Sequence, residues 1–206
     1  MLTRIRRIYK VMNMTVKERF LKYVKYETTS DENSGTCPST AGQKVLLNEL
    51  KNELQAMGIA AKIDDNGYVT AVIPATKSGS KRICFISHVD TSPAVSGRNV
   101  NPQFVNYKGG DIILKNGIKI SLEENPYLSK YIGRELIVTD GETLLGADDK
   151  AGVAEIMAAA EILAKDKSIV HGDVLIAFTP DEEIGRGTDM FDVKAFGADF
   201  GYTVDG

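Results

Sequence analysis

Cysteine, histidine and long apolar runs are all scarce in this chain of 206 residues, and each scarcity closes off a class of function. The two cysteines, Cys37 and Cys84, have no metal-ligand spacing. A cysteine-built metal site or a disulfide framework is therefore not expected, and two inert thiols fit a reducing, cytoplasmic setting. No apolar stretch approaches the roughly 20 residues of a membrane span. There is no secretory h-region, no internal repeat and no low-complexity segment. A net charge of −3 lacks the basic excess of a general nucleic-acid binder. What is present, 43% apolar and 26% charged residues, is the composition of an ordinary soluble globular protein. The length is that of one domain with a substantial core.

The first residues differ from the rest: Arg4, Arg6, Arg7 and Lys10 punctuate Leu2, Ile5, Ile8 and Val11, with no acid among them. Residues 1–13 are expected to be a disordered extension, and the folded part to begin at Met14. Thr15-Val16-Lys17-Glu18 has the spacing of a capping box and predicts a helix with Val16, Phe20 and Val24 on its apolar stripe. Thr40-Ala41-Gly42-Gln43 repeats that spacing ahead of Leu46, Leu47, Leu50, Leu54 and Met57, with Gly58 as the stop. A hairpin is predicted from Ala60 to Ile73 around Asn66-Gly67. The acids Asp64 and Asp65 lack EF-hand spacing and read as part of a plain turn. Residues 94–135, rich in Gly, Asn and Pro, read as an insertion of loops and small strands between two core strands. From Lys150, residues Val153, Ile156, Met157, Ala160, Leu163 and Ala164 recur at helical spacing. Helices alternating with buried strands imply an α/β fold, with helices packed on a mixed sheet.

Acidic groups follow several of the strand-like runs. His88-Val89-Asp90 comes after Ile83–Ile86, and Asp148-Asp149 comes after Leu136–Val138. Asp181-Glu182-Glu183 comes after Val174–Phe178, and Asp205 after Tyr202–Val204. Ligands collect at strand ends in such sheets, and several carboxylates with one imidazole repel each other there unless cations sit between them. Asp, Glu and His without Cys suit zinc, manganese or cobalt in a hydrolytic role. Asp90, two positions beyond His88, is on the same side of an extended chain and can orient the imidazole. Taken alone, Asp148-Asp149 is a helix cap, but a cap does not explain Gly146 and Gly152, which permit close backbone approach. Glu182-Glu183 reads either as a solvated acidic loop or as a divided pair. In the second case Glu183 ligates while Glu182 stays outside and moves a proton.

The set His88-x-Asp90, Gly146-Ala147-Asp148-Asp149-Lys150-Ala151-Gly152, Asp181-Glu182-Glu183 and Val204-Asp205-Gly206 resembles the M20 metallopeptidases, which are di-zinc aminopeptidases and carboxypeptidases. The resemblance runs from about Met14 to the last residue. His88-Val89-Asp90-Thr91-Ser92-Pro93, Asn99-Val100-Asn101-Pro102 and Phe178-Thr179-Pro180-Asp181-Glu182-Glu183 point to its members that act on tripeptides. It implies a zinc-peptidase-like sandwich, of which residues 14–206 are the N-terminal part of the catalytic domain, without the lid or dimerisation domain and the C-terminal catalytic segment. It implies His88, Asp148, Glu183 and Asp205 as metal ligands, Asp148 bridging two zinc ions, and Asp90 and Glu182 as catalytic residues. A cis peptide between Asp148 and Asp149 is also implied.

The activity implied is release of the N-terminal residue from short peptides, tripeptides foremost, by a water activated between two cations roughly 3.5–4 Å apart. Manganese or cobalt would be the substitutes for zinc. A homodimer is expected of a full-length enzyme, and neither nucleic acid nor membrane is an expected partner. One departure stands out, because the family's second ligating histidine is missing. The only other histidine, His171, precedes Val174–Phe178 whereas Glu182 and Glu183 follow it, roughly 25–30 Å away at ~3.3 Å per residue. His171 is therefore read as a loop residue and the chain as a truncated form. The alternatives are another M20 dipeptidase or amidohydrolase, or a non-catalytic metal-binding remnant.

Overall fold

The capping box at Thr15 forms as its spacing predicts. Thr15 Oγ1 accepts from Glu18 N at 3.2 Å, and Glu18 Oε2 accepts from Thr15 N at 2.8 Å. A computed structural model describes residues 14–205, so the expected extension 1–13 lies outside the described residues. Helix α1 (Val16–Tyr23) buries Phe20, and Val24 beyond it, but leaves Val16 exposed. Its inner face is completed by Arg19 and Tyr23, both fully buried. Arg19 is buried because acids wait for it on α2 (Ala41–Ala56) and α3 (Ala147–Lys165). Its guanidinium lies 2.7 Å from Glu53 Oε2 and 2.5 Å from Glu161 Oε2. Tyr23 Oη donates to Glu53 Oε2 at 2.8 Å, and Lys22 Nζ pairs with Glu53 Oε1 at 2.6 Å. Burial, and then the charge of Glu53, push the Tyr23 phenol well above its ordinary range.

The second capping box does not form. Thr40 precedes α2 without a side-chain cap; its hydroxyl donates to Thr29 O at 2.9 Å, and Gln43 turns inward toward Asp181. Leu46, Leu47, Leu50 and Leu54 are fully buried on the inner face of α2. That face packs on the antiparallel hairpin β1 (Ala60–Ile63) and β2 (Val69–Ile73). Gly67 takes φ +90° in the turn, the left-handed region that glycine enters without a Cβ clash.

The hairpin belongs to a five-stranded mixed sheet with β3 (Ile83–His88), β8 (Val174–Thr179) and β9 (Phe200–Thr203), in the order β1-β2-β8-β3-β9. Strand β3 runs parallel to β8 and to β9, while β2 pairs antiparallel with β8. Every residue of β8 is buried, as expected of a central strand with both faces covered. Helix α3 packs on β3 through Val153, Ile156, Met157 and Ala160, and α1 packs on α3. The run ending at Val204 is not the buried strand its apolar character predicts. β9 is an edge strand with all residues exposed, Tyr202 by 56%. An α/β fold with helices on a mixed sheet is therefore present. Among the described residues no helix is long and apolar enough to cross a membrane.

All of these elements lie in one compact unit, formed by the chain up to Pro93 and again from Gly146. Ala94–Leu145 forms a second unit. It holds β4 (Gln103–Asn106) paired with β7 (Glu135–Val138), and β5 (Ile112–Ile113) paired with β6 (Lys119–Ile120). Leu136–Val138, expected in the main sheet, instead pairs with β4. Val138 is buried with Tyr107 and Ile112 in a small core of that unit, which absorbs the apolar run. Along the chain the insertion thus falls between β3 and α3, and Asp148 is carried by a helix start rather than by a strand end.

Candidate metal centre

Because β3, β8 and β9 are parallel, their C-terminal ends share one edge of the sheet. His88 lies opposite Thr179, and Ile86 lies opposite Thr203, so the segments after β8 and β9 both arrive beside His88. Helix α3, packed on β3, brings its first turn to the same edge. His88 Nε2 lies 2.9 Å from Asp148 Oδ1, 3.8 Å from Glu182 Oε2 and 3.9 Å from Asp205 Oδ1. One ligand atom each from His88, Asp148 and Asp205 fits within 4.8 Å. Burial alone would lower the His88 pKa, but the Asp90 hydrogen bond and the charges of Asp90, Asp149 and Glu182 outweigh it and raise the pKa to about 9. A proton is the smallest cation that such a pocket attracts. The donor set of one imidazole nitrogen and several carboxylate oxygens suits zinc or a similar divalent ion.

The Asp148-Asp149 pair divides its work. Asp149, buried, accepts from Gly152 N at 3.1 Å and from His88 N at 3.2 Å, so it caps α3 and ties that helix to β3. Burial raises its carboxyl to about 7. Asp148, with its side chain 57% exposed, faces His88. The peptide between the two is cis, as the resemblance implies. A Cβ on Gly152 would run into Val204 O, Asp149 Oδ1 and Ser87 Oγ. Gly152→Ala is thus expected to cost roughly 1–3 kcal/mol in urea unfolding, the usual range for overpacking. It should also weaken metal binding by displacing Asp149 from His88. An unfolding midpoint equal to that of the parent chain would mean that α3 can shift without penalty.

Asp90, fully buried, connects the imidazole to the turn after β8. Its carboxylate lies 3.2 Å from His88 Nδ1 and accepts from Glu182 N at 3.0 Å and Glu183 N at 3.1 Å. The i, i+2 spacing points to the first of these contacts, but nothing in the sequence signals the other two. Glu183 lies outside the group formed by His88, Asp148 and Asp205. Burial and then the charge of Asp148 raise its pKa. Two residues quoted in the motifs, Lys150 and Asp181, are buried, which the sequence does not signal. Lys150 donates to Tyr26 O at 2.8 Å, its pKa lowered by burial to about 8, and Asp181 starts the Glu182–Ile184 turn. His171 hydrogen-bonds to Thr76 before the start of β8, away from the edge that carries His88, and is a loop residue as expected.

No protein-family model matches the chain. It is 58% identical over 196 residues to "Peptidase T" of Caldanaerobacter subterraneus subsp. tengcongensis, covering 93% of this chain and 48% of the relative. The structure of aminopeptidase PepT from Bacillus cereus superposes with TM-score 0.63 at 28% identity, covering 93% of this chain and 43% of that one. A tripeptidase from Staphylococcus aureus gives TM-score 0.62 at 23% identity, with the same coverage of 93% and 43%, a likeness of fold. The chain spans about half the length of the curated relatives it matches. Over that half, the chain is a homologue of peptidase T, and its fold is like that of an M20 family metallo-carboxypeptidase from Sulfolobus solfataricus, with TM-score 0.56 at 14% identity over 93% of this chain and 37% of that one.

Proposed function

We propose that these residues form the zinc-binding part of a peptidase that releases the N-terminal residue of short peptides, tripeptides foremost. The observation that supports it most is the meeting of His88 Nε2 with carboxylate oxygens of Asp148 and Asp205 at the C-terminal edge of the sheet. In this reading residues 14–206 are the N-terminal part of the catalytic domain. His88, Asp148 and Asp205 hold one divalent ion, and Asp148 and Glu183 contribute to a second position. A bound divalent ion supplies Lewis acidity there, polarising a carbonyl and making water a better nucleophile. Asp90 fixes the ring of His88, whose Nδ1 it faces, so that Nε2 points into the site. Glu182, half exposed beside His88, takes a proton from the attacking water on a carboxylate oxygen and delivers it to the leaving amine.

The test is metal content. The chain is loaded with zinc, dialysed and analysed for metal beside Asp148→Ala. The parent should retain zinc and the variant should retain far less, since Asp148 contributes to both positions. Equal content in the two proteins would remove Asp148 from the site.

A further inference from the structure

Between Thr179 and Glu182 the chain has to turn sharply enough to bring two consecutive backbone N–H groups onto Asp90. Asp181 makes that turn in the left-handed region, at φ 60° and ψ 27°. Aspartate and asparagine enter this region more readily than most residues, but Asp181 does more than tolerate it. Its side chain, fully buried, accepts hydrogen bonds from Ser39 N at 2.8 Å, Ser39 Oγ at 2.5 Å and Gln43 Nε2 at 2.7 Å. Its own backbone N–H donates to Gln43 Oε1 at 3.1 Å. The Gln43 amide thus cannot rotate without opposing one donor to another. A buried carboxylate held by neutral donors demands every one of them, because an unmet hydrogen bond to a charged group is expensive.

Resting on the proposed roles of Glu182 and Glu183, we infer that Asp181 and Gln43 are positioning residues for the metal centre. The start of α2 clamps the residue before the two glutamates. The clamp holds the Glu182 and Glu183 N–H groups on Asp90, and through Asp90 it sets the ring of His88. This arrangement gives Gln43, which has the sequence signature of a helix cap, a different purpose.

Reciprocal substitution tests the inference. Asp181→Asn keeps the size and the left-handed preference, yet its amide must oppose either Ser39 N–H or the Gln43 amide. Gln43→Glu sets two carboxylates against each other. Combined, the pair regains complementarity. The asparagine side chain and the backbone N–H of the same residue can then each donate to one oxygen of the carboxylate introduced on α2.

Cobalt titration of the 206-residue chain, read by visible absorption, is the assay. Each single variant should bind cobalt roughly 10–100-fold more weakly, the usual effect of losing a group that supports a ligand. The double variant should return to the affinity and spectrum of the parent. His88→Ala is the control for the site itself. If it binds cobalt as the parent does, the site reading falls and this inference with it. If it loses cobalt while Asp181→Asn keeps parental affinity and spectrum, only the positioning role is overturned. Should Asp181→Asn not fold, the double variant decides: parental cobalt binding supports the clamp, and weakened binding or failure to fold overturns it.

Discussion

Glu182→Gln is expected to keep its metal and lose roughly 10²–10⁴-fold in kcat, the range for removal of a general base. The relevant assay is tripeptide hydrolysis by a form extended to the full length of its relatives, because this chain spans about half of them. Glu182 is not among the residues whose ligand atoms meet within 4.8 Å, which are His88, Asp148 and Asp205. Its carboxylate lies 3.8 Å from His88 Nε2 with the side chain 53% exposed. The substitution removes a proton acceptor while leaving the Glu182 N–H on Asp90 in place, so the surrounding turn should persist. KM should change little if Glu182 acts on the proton alone. Glu183→Gln makes the contrast, since it should lose metal at one position. Near-normal turnover in Glu182→Gln would end its assignment as the base.

A loss of about 3–5 kcal/mol is expected for Arg19→Ala, because it strips two buried carboxylates of their shared cation. Glu53 and Glu161 are only 2% and 5% exposed. Each keeps one amine, Lys22 on Glu53 and Lys165 on Glu161, which places the effect toward the lower end of that range. Desolvation of the guanidinium works against the network, yet its hydrogen bonds to Tyr23 and Glu161 and the charge of Glu53 outweigh this and raise the Arg19 pKa. Replacing all three members together, as Arg19→Met, Glu53→Gln and Glu161→Gln, should cost much less, since no bare charge is then left inside. Urea unfolding of the single and triple variants measures both. A single-variant loss below about 1 kcal/mol, the ceiling for exposed pairs, would mean that water reaches the cluster.

The parts of the fold that local chemistry dictates were legible in the sequence: the first capping box, the leucine face of α2, the Asn66-Gly67 hairpin and the stripe of α3. The meeting of His88 with Asp205 was legible as well, because parallel strands end at one edge whatever lies between them. Asp148 reaches that edge from the start of α3 and not from the strand expected to carry it. Destinations were harder to read. Four residues such as Glu135–Val138 carry no label saying which sheet they join, and the small core around Tyr107 claimed them. Arg19 looks like a solvent-facing residue until Glu53 and Glu161 arrive from distant positions. Gln43 matched a capping pattern, but its amide reaches the buried Asp181 at 2.7 Å as well as Thr40 Oγ1 at 3.2 Å, and the box itself does not form. In each case the deciding partner lay far away in sequence.

The placement of β3 between β8 and β9 also determines when the site can come into being. Both neighbours of β3 are made long after it, and Ser87 meets Val204 across 117 residues of chain. Parallel pairings of such separation close large loops before any contact rewards them, which slows folding. At a synthesis rate of roughly 5–20 residues per second, β3 waits on the order of ten seconds for its partners. During that time His88 has only Asp90 nearby, since Asp148, Glu182 and Asp205 are still to come. The acidic cluster thus needs the segments after β8 and β9 before it can assemble. On the proposed reading a divalent ion would bind only after these strands have paired with β3.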